Sequence, residues 1–140
     1  MESFADIHVH KFMQSKLTKL EKSVLDKYLS IDDADAKRLR VQLSMLTIES
    51  RIYTDVGFKT SFSLPSHVPA LSDEFNDNQA NVYADHPKVP AGAGFLLQSE
   101  NGFIKSLNGF VFVGSWPASE SEFHILKLDY CLTNPNVETG

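Results

Sequence analysis

His8 and His10, in the run Asp6-Ile7-His8-Val9-His10, are the residues whose type and spacing come closest to chemistry. In an extended segment, side chains two residues apart point the same way, as two ligands of one metal ion must. The same H-x-H pattern opens many metal-dependent amidohydrolases, which build their site on a (β/α)₈ barrel of about 250 residues. At 140 residues this chain is too short for that barrel. The chemical reading is therefore a small metal-dependent hydrolase on His8 and His10, recruiting His67, His86 or His124. Against it stands a mobile N-terminal segment (residues 1–10) carrying two solvated histidines.

Other constellations carry less. Cys131 follows the last strand candidate, and a lone cysteine is ordinarily a small buried hydrophobe. Ser115 in Gly114-Ser115-Trp116 lacks the second glycine of a nucleophile elbow. Gly92-Ala93-Gly94 opens a strand instead of a helix, so it is no dinucleotide fingerprint, and there is no Walker lysine. Asp32, Asp33 and Asp35 suit helix capping, with Asp32 as the N-cap; the glycine and terminal glutamate of a calcium loop are missing. Glu49, Arg51 and Asp55 stand among apolar strand residues, where charges face solvent or pair. A salt bridge from Arg51 that fixes a bend at Gly57 is the structural reading.

The elements that would position these residues follow from periodicity. From Lys11, Met13, Leu17, Leu20, Val24 and Tyr28 recur at helical spacing, with Leu25 widening the stripe. After a break at Ser30–Asp33, a second helix carries Ala36, Leu39, Leu43 and Leu46, and the two should form an αα-hairpin. From about Leu46, β-branched and aromatic residues predict strands over Leu46–Thr54 and Gly57–Phe62, with Gly57 at a bulge or bend. Ser63–Gln79 reads as a long polar loop, and Ala80–Asp85 as a short strand. Asn101-Gly102 predicts a type I′ turn between Gly92–Glu100 and Phe103–Val113, with a bulge at Asn108-Gly109. Phe123, Ile125 and Leu128 belong to a last strand, and residues 133–140 read as a frayed tail. The sum is one α+β domain: an N-terminal αα-hairpin on one face of an antiparallel sheet of five or six strands.

With 42% apolar and 22% charged residues, the chain can bury a core and is not compositionally disordered. The net charge of −5 disfavours nonspecific nucleic-acid binding and suits a basic partner. One cysteine gives no intrachain disulfide, no apolar run approaches the ~20 residues of a membrane span, and residues 1–11 lack signal-peptide character. These features predict a cytoplasmic chain, with no nucleic acid, membrane or cofactor.

Two blocks carry a resemblance. Arg51-x-Tyr53-Thr54-x-Val56-Gly57-Phe58-x-Thr60-x-Phe62 is the first. The second is Gly92-Ala93-Gly94-Phe95-x-Leu97, followed by Asn101-Gly102, Leu107-x-Gly109 and Trp116-Pro117. Together they resemble a family of small bacterial proteins with R-x-Y-T-G-V-G-F-x-T-x-F and G-A-G-F-x-L…L-E-G…W-P blocks. Asp55 replaces a usual glycine, and Asn108 a usual glutamate, which argues against a catalytic acid there. The family implies no established activity; similarity of kind points to immunity proteins encoded beside secreted toxins.

The leading expectation is a non-enzymatic protein-binding module, in its sharpest form toxin-immunity-like. Its surface would be acidic and aromatic, with Asp73 and Glu74 on the long loop and Phe110 and Trp116 beside the hairpin. The alternatives are the His8/His10 hydrolase and a homodimeric structural protein.

Overall fold

The computed structural model describes residues 16–30, 33–77 and 80–130. Two helices, α1 (Lys19–Tyr28) and α2 (Ala34–Met45), precede the hairpin strands β1 (Thr47–Thr54) and β2 (Gly57–Ser63). A short helix, α3 (Asp73–Asp77), leads to β3 (Ala80–His86), β4 (Val89–Glu100), β5 (Phe103–Val111) and β6 (His124–Tyr130). The strands form one six-stranded sheet, β1-β2-β5-β4-β3-β6, antiparallel at every pairing. The helices cover one face, so the α+β architecture is the expected one.

Helix α1 starts later than the Leu17 position of its apolar stripe suggests, and Met13 lies outside the described residues. Thr18 caps α1: its hydroxyl accepts from Glu21 N–H at 3.0 Å while Glu21 accepts from Thr18 N–H at 2.8 Å. This reciprocal pair satisfies two orphan N–H groups and sets the helix start. Residues 16–18 are therefore not helical, although Leu17 still packs on the core. Asp33 caps α2, accepting from Ala36 N–H at 2.8 Å. The capping role expected of Asp32 thus belongs to its neighbour, and Asp32 lies outside the described residues.

Glycines set the sheet's two faces. On the helix side, Val82, Phe95, Gly109, Phe58 and Tyr53 lie opposite one another across five strands. A Cβ on Gly109 would come within 2.5 Å of the Phe58 ring and 3.0 Å of the Phe95 ring. Gly109 is the gap across which these rings meet, with centroids 6.3 Å apart. The bulge expected at Asn108-Gly109 is absent: the register runs unbroken there, and the β4–β5 irregularity lies at Gln98/Ser99. Likewise Gly57 is not a bulge. It opens β2 where the backbone passes the Gly109 carbonyl too closely for any Cβ, and the β1 irregularity falls between Ile48 and Ser50.

The predicted β4–β5 turn forms as expected, with φ of 55° at Asn101 and 88° at Gly102. Residues 63–77 of the expected loop are more ordered than their composition suggests, and Asn78 and Gln79 lie outside the described residues. Gln42, with no exposed surface, donates to the carbonyls of Pro69 (2.7 Å) and Gly102 (2.9 Å) and accepts from Ile104 N–H (3.0 Å). Asp35 accepts from both the N–H (2.9 Å) and the hydroxyl (2.5 Å) of Ser72, the residue before α3. Helix α2 thereby holds the loop against the β4–β5 turn.

Candidate interaction surface on the open sheet face

The face opposite the helices has no covering layer among the described residues. Alternation brings Tyr83, Leu96, Phe110 and Phe112 to it, because their neighbours Val82, Phe95, Leu97 and Gly109 point into the core. Tyr83 and Phe110 flank Gly94 on the two adjacent strands. A Cβ on Gly94 would come within 2.7 Å of the Phe110 ring and 3.1 Å of the Phe112 ring. The missing side chain lets three aromatics close over the backbone: Tyr83 stacks on Phe112 at 6.2 Å, and Phe110 meets Phe112 edge-on at 5.4 Å. Phe112 nevertheless remains 50% exposed, and Val56 and Val113, at the same end of the sheet, are also exposed. The result is an apolar patch with charges of both signs on the elements around it, Lys127 standing opposite Tyr83 on β6. Asp55 is exposed in the β1–β2 turn, and Asp85 follows Tyr83 on the same side of β3.

Further along the same face the character becomes polar. Gln98 Oε1 accepts from Asn108 Nδ2 (2.8 Å) and Ser106 Oγ (3.0 Å), forming an amide–hydroxyl ladder across β4 and β5. This half holds a groove of about 440 Å³, lined by Glu49, Lys59, Ser61, Gln98, Glu100 and Lys105 among others.

The four residues expected to bind a partner are not brought together. Phe110 lies in the aromatic patch. Trp116 lies on the helix side, its ring against Phe58 (5.3 Å), Phe95 (6.1 Å) and Phe123 (5.0 Å). Its indole N–H donates to Glu120 Oε2 at 2.9 Å, which also accepts from Tyr53 OH at 2.9 Å. Burial and the Glu120 carboxylate together push the Tyr53 phenol above its usual range. Asp73 and Glu74 are exposed in the first turn of α3, near the β4–β5 turn and thus at the other end of the hairpin.

His8, His10 and Cys131 lie outside the described residues. Among the described residues no group of three or more histidines, cysteines and carboxylates is placed to hold a metal. His86 is committed elsewhere: Nδ1 accepts from Lys88 N–H (3.0 Å) and Nε2 lies 2.7 Å from the Ser119 carbonyl, to which it donates. His67 is exposed, and His124 stands 4.0 Å from Asp85.

Arg51 does pair, though not at the Gly57 bend. It reaches Glu21 on α1, whose carboxylate is 1% exposed and also accepts from Thr60 Oγ at 2.5 Å. Burial alone would lower the Arg51 pKa, but the hydrogen bonds and charge of Glu21 raise it above the ordinary arginine value.

Against protein-family models, curated proteins and solved structures, the chain matches none. The chain folds as α+β, with helices on one sheet face and an amphiphilic open face. No helix among the described residues is long and apolar enough to cross a membrane.

Proposed function

We propose that this chain is a non-enzymatic binding module whose docking surface is the aromatic end of the open sheet face. The observation that carries this reading is the cluster of half-buried Tyr83 and Phe110 with exposed Phe112, seated over Gly94. Such rings offer large apolar area at low conformational cost, the usual makeup of a binding hot spot. The net charge of −5, with Asp55 and Asp85 exposed at this end of the sheet, favours a partner that is basic around an apolar anchor. In its sharpest form the partner is a basic toxin that the chain neutralises, a form supported by the resemblance to immunity-like proteins alone.

The test is quantitative capture from the source cell with the tagged chain, Phe112→Ser, and Asp55→Lys/Asp85→Lys. A basic protein should be retained by the parent chain and released as salt rises. Phe112→Ser should weaken it by about 2 kcal/mol, roughly 30-fold, and the charge reversal should mainly slow association. Retention unchanged in both variants, or recovery of only a second copy of this chain, overturns the reading.

A further inference from the structure

The polar groove on the same face supports a second site that does not depend on the protein-binding reading. It crosses four strands, with Glu49 on the edge strand β1, Lys59 and Ser61 on β2, Lys105 on β5, and Gln98 and Glu100 on β4. Glu49 is the extra residue at the β1 register shift. Such shifts re-aim a side chain, and this one lines the groove. Among the described residues, Lys59 and Glu49 form no ion pair. Lys105 and Glu100 meet at 3.5 Å, both well exposed. Because Gln98 Oε1 is held by Asn108 and Ser106, its amide nitrogen is turned toward the groove as a donor, with no acceptor among the described residues.

These groups discriminate by charge. An anion at Lys59 meets Glu49 on the neighbouring strand, and a cation at Glu49 meets Lys59 there and Lys105 across β2. Each unwanted like-charge contact works against a ligand of single sign. A molecule with one carboxylate and one ammonium pairs both unmatched charges and leaves the Gln98 amide and Ser61 hydroxyl for its uncharged polar centre. The groove's volume of about 440 Å³ suits a ligand of that size. We infer that this groove binds small zwitterions of the amino-acid or short-peptide class.

The experiment is an amide-resolved NMR titration of the full chain with Ala-Ala, N-acetyl-Ala-Ala (anion only) and Ala-Ala-amide (cation only). Ala-Ala should shift the Gln98 side-chain amide and the Ser61 and Ser106 backbone amides saturably. Each single-sign form should bind about fivefold more weakly, the scale of one exposed ion pair. Lys59→Gln should weaken Ala-Ala while Ala-Ala-amide, relieved of a like charge, binds no more weakly, and Glu49→Gln should weaken Ala-Ala while N-acetyl-Ala-Ala binds no more weakly. Both positions line an open face, so an unchanged remainder of the spectrum verifies the fold. Equal affinity for all three probes, or no saturable shift at these amides, overturns the inference.

Discussion

Arg51 grips Glu21 at two points: Nε lies 2.9 Å from Oε2 and Nη2 2.7 Å from Oε1. Glu21 is 1% exposed and the Arg51 side chain 9%, so the pair is a buried bidentate clamp between strand β1 and helix α1. Thr60 Oγ and Thr18 N–H fill the remaining acceptor positions. One carboxylate thus joins a helix cap to the edge half of the sheet.

Removing one partner should be costly, because the other charge is left desolvated. Arg51→Leu is expected to destabilise the fold by about 3–5 kcal/mol, and Arg51→Lys should recover only part, since an ammonium cannot match both oxygens. Urea denaturation gives the number. A loss below about 1 kcal/mol for Arg51→Leu would mean that Glu21 is not a buried ion at all.

Two glycine-to-alanine changes separate core from surface. Gly109→Ala forces the buried Phe58 and Phe95 rings apart and should cost about 1–3 kcal/mol. Gly94→Ala meets Phe110 and Phe112 on the open face, where the rings can swing into solvent. Its stability loss should be the smaller in thermal melts, while partner capture suffers more than with Gly109→Ala.

Tyr28, like Tyr53, contributes to the alkaline limit. Its hydroxyl donates to the Ala80 carbonyl at 2.5 Å and accepts from Leu97 N–H at 3.0 Å. Burial pushes its phenol well above the usual range, only partly offset by the Leu97 bond, with the nearby Tyr83 adding to the rise. With the folded pKa raised, the contribution to stability is intact below the unfolded value near 10 and falls as pH rises beyond it. Tyr28→Phe should lower stability by about 1–3 kcal/mol at neutral pH and flatten the loss above about pH 10. An unaltered alkaline slope in circular-dichroism melts would contradict this.

Asp35 acts at the acid end. Burial alone would push its carboxyl up, but the Ser72 hydroxyl and N–H, followed by Arg38, hold it below the usual carboxylate range. Its contribution is therefore present above the unfolded value near 4 and is lost as pH falls through and below that point. Asp35→Asn should flatten the acid limb in that window and loosen the Ser72–α3 connection. Faster amide exchange at residues 71–75 would report the loosening, and parent-like exchange would count against it.

Much of the fold was legible because alternation and helical spacing survive into the structure. The β1–β2 and β4–β5 hairpins lie within a few residues of their expected bounds, and Asn101-Gly102 makes its turn. What escaped were polar residues that act as core. Gln42 follows Leu39 by three residues on the buried stripe of α2, and Glu21 sits among Leu20, Val24 and Leu25. Periodicity discounts such residues, although Thr18-x-x-Glu21 carries a capping-box signature. Gly109 was misread because a strand glycine signals a bulge as readily as a seat for two rings, and only the register distinguishes them. The expected surface mixed two faces, since Phe110 and Trp116 are close in sequence but fall on opposite sides of the sheet.

The most direct test of the open-face account is a hydroxyl-radical footprint of the chain with and without its captured partner. Oxidation of Tyr83, Phe110 and Phe112 is expected to fall in the complex while that of Trp116, on the helix side, stays unchanged. Protection at Trp116 or on α3, with Phe112 still fully reactive, would contradict it.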